Sequence, residues 1–177
     1  GTNGKTSITH ILHHILQESG SSCSMLGTLG FRTPTGMIST GFTTPESVEI
    51  QQMLQTLEMA GVDNVVLEIS SHALELHRID DVDVDIAVFS NLTSEHLDFH
   101  GDMGSYFASK LRLFKGLSNT KTAVINIDDP YSDRICSATS AKIITYGMNE
   151  KADLHPVQSD FTLYGTQAQL QFRETKI

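Results

Sequence analysis

Four short apolar runs, "NVVLEIS" (64–70), "DIAVFSN" (85–91), "TAVINID" (122–128) and "KIITYG" (142–147), constrain the fold of this chain more than any other feature. Each is bounded by polar or turn residues, and helical stretches lie between several of them. Strands that are apolar on both faces need cover on both sides, which helices between successive strands supply. The expected fold is therefore α/β, a mostly parallel sheet flanked by helices and joined by right-handed crossovers. The tail from Asp153 to Lys176 is different. There "FTLYGTQAQLQF" alternates around a glycine-containing turn, the pattern of a small antiparallel hairpin near the C-terminal end.

Ahead of these runs, Ile8, Ile11, Leu12, Ile15 and Leu16 recur at helical spacing and Gly20 follows as a stop, which predicts an amphipathic helix starting at Lys5-Thr6. Residues 22–40 read as strands and turns. "TTPES" predicts a second helix with Thr44 as N-cap and Pro45 at its first position, running to about Ala60.

With 177 residues, 39% of them hydrophobic, the chain can bury one sizeable core. Its 12 basic and 21 acidic residues give a formal charge of −9. That balance argues against a nucleic acid or an anionic membrane surface as the main partner, so any phosphate site must be local. Cys23 and Cys136 stand far apart and outside any Cys-x-x-Cys pattern, which suits a reducing, cytoplasmic setting. No apolar run approaches the roughly 18 residues of a membrane span. Without an initiator Met, the chain reads as a fragment or an excised domain.

"GTNGKTS", the first seven residues, is half of a phosphate-binding signature directly followed by the first predicted helix. In such loops small residues let backbone N–H groups converge on an anion at a helix N-terminus, lysine reaches the outer phosphates, and the next hydroxyl binds Mg²⁺. The alternative is a plain capping turn.

In "GDMGSYFASKLRLFKG", Met103, Phe107, Leu111 and Phe114 form one helical stripe, and Lys110 falls near its middle. Ser105, Ser109, Arg112 and Lys115 are expected on the opposite side. An inward lysine is costly unless something uses it. It either snorkels at the stripe's end or stands beside phosphates, a carboxylate or a metal.

Ligands of open parallel sheets sit outside the carboxyl ends of the strands. Two predicted strand ends are dense in chemistry. One is followed by Glu68, Ser70, Ser71, His72, His77 and Arg78, the other by Asn91, Glu95, His96, Asp98 and His100. "HLDFH" has two histidines at i and i+4, but Leu97 stands where a metalloprotease helix has glutamate, and with Gly101 following and a strand end preceding, a loop is expected there. Mg²⁺ beside a nucleotide, taking oxygen ligands and an occasional imidazole, suits Glu68 and His96 better than zinc.

"GTNGKT", "FTTPES", "LEISSHAL", "NLTSEHLDFHG", "YFASKLRLF" and "INIDDP", in this order, resemble the central ATP-binding domain of the Mur ligases, a P-loop NTPase-like fold. The resemblance is strong over about residues 1–147 and weak over the tail. "SSHAL" followed by "HLDFHG" is its specific part and points to the branch that adds the third peptide residue of the peptidoglycan precursor. It implies an ATP-dependent amide ligase acting through an acyl phosphate on UDP-N-acetylmuramoyl-L-alanyl-D-glutamate, with diaminopimelate or lysine as the added amino acid. It also implies that residues 1–177 are part of a central domain without its UDP-binding and amino-acid-binding neighbours, and that this part does not turn over alone.

Carried onto this sequence, the resemblance gives Gly1, Thr2, Asn3, Gly4, Lys5 and Thr6 to the ATP phosphates. Thr6 and Glu68 would bind Mg²⁺, and His96 a second Mg²⁺. Thr43, Thr44, Ser70 and Arg78 would contact the UDP-sugar peptide. Lys110 would be carbamylated by CO₂, turning a cation into a carboxylate that supports the second ion. Lys5, Glu68, His96 and Lys110 are thus the catalytic set. Ser7, Glu95 and Leu76 depart from the residues common at their positions in the family. Another Mur-type or folylpolyglutamate-type ligase, or a phosphate-loop ATPase without ligase activity, is the alternative.

Overall fold

A computed structural model describes residues 1–33 and 36–176. They are α/β, and they divide into two compact units, one of Gly4–Asp83 with His96–Lys110, the other of Gly1–Asn3, Val84–Glu95 and Leu111–Ile177.

The first unit opens with α1 (Lys5–Glu18), which leads into β1 (Cys23–Gly27). β1 pairs in parallel with β4 (Asn64–Leu67) and antiparallel with β2 (Gly30–Thr33), which pairs in turn with β3 (Gly36–Ile38). All five residues of β1 are buried. Between β3 and β4 runs α2 (Ser47–Met59), and after β4 comes the short α3 (Ser71–Glu75). Met25, Leu26, Phe31, Ile50, Leu57, Leu74 and Phe107 form much of the core. Each such side chain contributes roughly 1.5–3 kcal/mol by leaving water.

The second unit carries β5 (Ile86–Phe89), β6 (Thr122–Asn126), β7 (Lys142–Tyr146) and β8 (Leu154–Thr162), paired in parallel. β9 (Gly165–Phe172) and the two-residue β10 (Thr175–Lys176) continue the sheet antiparallel. The β8–β9 hairpin is the one expected from the alternation in the tail. Its register shifts between Pro156 and Gln158, next to a proline that has no N–H for the ladder. The helix α6 (Ser132–Ala138) lies on β6 and buries Ile135. Phe89 and Phe114 meet edge to face at 6.2 Å in the core of this unit.

Three expectations are corrected. The second helix starts at Ser47, with Glu46 as its N-cap, and Glu49 accepts the Glu46 N–H at 3.0 Å. Thr44 is not a cap because its hydroxyl is engaged with the Glu68 carbonyl and the Ser70 amide. "LDFH" is one helical turn, α4 (Leu97–His100), rather than loop, because His96 adopts a left-handed conformation (φ 57°) that lets the chain turn into it. Finally, α1 is helical as expected, but it buries Thr9 and His13, while Ile11, Leu12 and Ile15 are exposed. Periodicity locates a stripe; it does not say which face the sheet takes. Thr9 tolerates burial because its hydroxyl donates to the Lys5 carbonyl at 3.0 Å. Among the described residues no helix is long and apolar enough to cross a membrane.

His13 makes the stability of this unit pH-dependent. It is 4% exposed, its Nε2 has no hydrogen-bond partner, and burial, aided by Arg32, lowers its pKa from the usual histidine value. The unfolded chain, with a histidine pKa of about 6.5, therefore binds the proton first as pH falls. The stability due to neutral His13 is complete above that pH and is lost as pH falls below it. The thermal midpoint is expected to drop between pH 7.5 and 5.5, and to drop less in His13→Met. Equal slopes in the two proteins would remove His13 from the explanation.

Candidate active site

The opening loop is held by a strand end. Thr2 N–H donates to the Asn91 carbonyl at 2.7 Å, Asn3 N–H to Asn91 Oδ1 at 2.8 Å, and the Ser90 hydroxyl to the Asn3 carbonyl at 2.8 Å. Asn3 Nδ2 reaches Thr93 Oγ1 at 3.0 Å, and Thr93 N–H donates to Thr2 Oγ1 at 3.1 Å. The sequence pointed to Asn91 but gave no sign of Ser90 or Thr93, whose hydroxyls look like any others in a loop. Gly1 has no room for a side chain, since a Cβ there would lie 1.8 Å from Ser90 Oγ.

Gly4 follows with φ 83°, a left-handed conformation that favours glycine, and serves as the N-cap of α1 without a capping side chain. Gly4 itself brings no capping side chain to the first turn of this 14-residue helix, and the helix dipole lies behind that turn. Lys5 and Thr6 are the first two helical residues. These features fit an anion such as a phosphate.

Thr6 Oγ1 donates to Glu68, 3.0 and 3.1 Å from its two carboxylate oxygens. Glu68, at the end of β4, is 4% exposed, and its Oε2 also accepts the Thr28 N–H at 3.0 Å. Gly27 makes this possible. A Cβ at Gly27 would lie 2.7 Å from Glu68 Oε2 and 3.0 Å from Glu68 Cβ. The sequence could not single out Gly27, because only the pairing of β1 with β4 sets it against Glu68. A buried carboxylate beside a hydroxyl is a hard-oxygen set of the kind Mg²⁺ takes.

Beside Glu68, Thr44 and Ser70 form a small hydrogen-bonded group. Thr44 Oγ1 donates to the Glu68 carbonyl at 2.9 Å and accepts the Ser70 N–H at 3.1 Å. Ser70 caps α3 by accepting the Ala73 N–H at 3.1 Å. Arg78 Nη1 donates to the Thr44 carbonyl at 3.0 Å, and Nη2 pairs with Glu46, but the buried Nε has no partner. Thr43 Oγ1 is 3.0 Å from Thr28 Oγ1. The four residues expected to face one substrate are therefore linked directly or through Glu68 and Thr28.

The lysine on the apolar stripe of α5 (Met103–Gly116) does point inward. Lys110 is 5% exposed, with Nζ 4.6 Å from the centroid of the fully buried Tyr106 ring. Ser109, expected outside, is buried as well, because its hydroxyl donates to Glu75 at 2.6 Å. Three histidines gather nearby. His72 lies 5.0 Å from His96 and 5.6 Å from His100 between ring centroids. Burial, followed by neighbouring histidines, lowers the pKa of both His72 and His100, so both are neutral at neutral pH. Among the described residues no three of His, Cys, Asp and Glu converge in a way that could hold a metal ion.

Residues 1–177 match the family described as the Mur ligase middle domain. The UDP-N-acetylmuramoyl-L-alanyl-D-glutamate–2,6-diaminopimelate ligase of Caldanaerobacter subterraneus subsp. tengcongensis is 40% identical over 99% of this chain and 36% of its own length. The ligase of the same name from Geobacter metallireducens is 42% identical over 93% of this chain and 34% of its own. A solved structure of a ligase of that name superposes with a TM-score of 0.90 at 31% identity, over the whole of this chain and 37% of its own. The chain thus spans about a third of the length of these relatives. With residues 1–177 all matched to that family and the fold shared, this chain belongs to the Mur ligase family, in the region of its middle domain.

Proposed function

We propose that this chain is part of the central domain of an ATP-dependent ligase that adds diaminopimelate to UDP-N-acetylmuramoyl-L-alanyl-D-glutamate in the cytoplasm, for peptidoglycan synthesis. The observation that carries the proposal is the buried Glu68 carboxylate receiving the Thr6 hydroxyl in the first turn of α1, directly after the glycine N-cap. Diaminopimelate rather than lysine is proposed because it is the amino acid named in the relatives.

In this reading Gly1 to Thr6 bind the phosphates of ATP. Backbone amides and the Lys5 ammonium offset charge that spreads over the phosphate oxygens during transfer, the main contribution a protein makes to this chemistry. Thr6 and Glu68 hold one Mg²⁺, and His96 with carbamylated Lys110 a second. When bound, these ions supply Lewis-acid neutralisation of the phosphate and carboxylate oxygens. Thr43, Thr44, Ser70 and Arg78 orient the sugar-peptide substrate. Arg78 suits this role because its guanidinium is held by Thr44 and Glu46 while its buried Nε–H remains for an anionic or carbonyl group. The reacting carboxylate becomes an acyl phosphate, the amine of the incoming amino acid displaces phosphate, and ADP leaves.

The test is ADP release by the full-length parent protein given ATP, the UDP-sugar dipeptide, and either diaminopimelate or lysine. Release that needs both the sugar nucleotide and diaminopimelate is expected, with Arg78→Ala losing the stimulation by the sugar nucleotide. ATP binding without release under either condition would sink the proposal.

A further inference from the structure

A hydrogen-bond chain crosses from α3 to α5 beside Lys110, and none of its links belongs to the roles proposed above. Ser109 Oγ lies 2.6 Å from Glu75 Oε2, 3.1 Å from the Ser105 carbonyl and 3.4 Å from His100 Nδ1. At its other edge, His100 Nε2 lies 3.0 Å from Ser71 Oγ. Ser109 has one proton to give, and the charged acceptor at 2.6 Å takes it. Its oxygen then offers only lone pairs to His100, so Nδ1 must carry the hydrogen of the neutral ring. Nε2 is left to accept from the Ser71 hydroxyl. The chain thus runs in one direction, Ser71 to His100 to Ser109 to Glu75, and selects one tautomer.

What His100 holds is the neighbourhood of two proposed metal-site residues. It closes the turn that begins at His96, donating its own N–H to the His96 carbonyl at 3.0 Å. Its ring lies 5.0 Å from that of Tyr106, over which Lys110 Nζ sits. Ser109 directly precedes Lys110. We infer that Glu75 and Ser109 are positioning residues which, through the tautomer and placement of His100, set where His96 and Lys110 stand. The inference rests on the ligase reading for its kinetic consequence, but not for its chemistry.

The test uses the full-length protein with ¹⁵N-labelled histidine, and Ser109→Ala and Glu75→Gln variants. In the parent, His100 is expected as the Nδ1–H tautomer. In Ser109→Ala it loses that preference, turnover falls about tenfold, and the Mg²⁺ concentration for half-maximal rate rises severalfold, as outer partners of metal ligands behave. Glu75→Gln keeps an acceptor oxygen and should lose less on all three readouts. An unchanged His100 tautomer in Ser109→Ala overturns the inference, as does an unchanged Mg²⁺ requirement with activity lost only in step with folded protein. If the parent itself releases no ADP, the ligase reading fails, while the tautomer measurement still decides whether the chain exists.

Discussion

Replacing Lys110 with arginine in the full-length parent is expected to abolish nearly as much turnover as replacing it with alanine, roughly 10²–10³-fold in each case. Lys110 is 5% exposed on the inner face of its helix and close to Tyr106. If it acted as a buried cation, arginine would retain much of its effect. If it acts as a carbamate, arginine cannot replace it, because a guanidinium stays protonated and does not add to CO₂. Steady-state ADP release separates the two, with the melting temperature as a check on folding. An arginine variant within a few-fold of the parent would mean that Lys110 works as a positive charge, and the proposed second metal ligand would be withdrawn. Mass spectrometry of the native protein adds an independent readout, since the adduct adds CO₂ to a single lysine.

The second large effect is expected at Glu68, and at the glycine packed against it, Gly27. Glu68→Ala removes the acceptor for both the Thr6 hydroxyl and the Thr28 amide, leaving the latter without its carboxylate partner. Turnover is expected to fall by at least about 10². Gly27→Ala should reproduce much of that loss without altering any polar group. The new methyl would sit 2.7 Å from Glu68 Oε2 and 3.0 Å from its Cβ, too close to be absorbed at the carboxylate tip alone. Glu68 must then swing away from Thr6. The diagnostic is a raised Mg²⁺ requirement in Gly27→Ala with a melting temperature close to the parent's. Normal turnover in this variant would show that Glu68 can move and still serve, and that the packing of β1 against it carries no function.

The sequence alone determined the alternation of apolar runs and helices, and hence the parallel pairing of β5, β6 and β7, together with the hairpin at the end; the first run, β4, pairs instead with β1, and β8 adds a parallel pairing with β7 that the tail's alternation did not announce. Both are local patterns, legible because side-chain period and run length report how many faces of a strand are buried. It also determined that Lys110 is inward, since 100° per residue fixes a helical residue's direction once its apolar neighbours are known. Tertiary structure decided the rest. It turned the Ile11, Leu12 and Ile15 face of α1 outward and buried Thr9 and His13, because the neighbouring strand surface selects the helix face and hydropathy does not. It moved the N-cap of the second helix from Thr44 to Glu46 and its first residue from Pro45 to Ser47, because a distant carbonyl, that of Glu68, claimed the threonine hydroxyl. It buried Ser109 because Glu75, on another helix, accepts its proton. It also set Gly27 against Glu68 through the pairing of β1 with β4, in which Cys23 lies opposite Asn64 and Leu26 opposite Leu67. A sequence shows which groups can bond; only the fold shows which partner reaches them first.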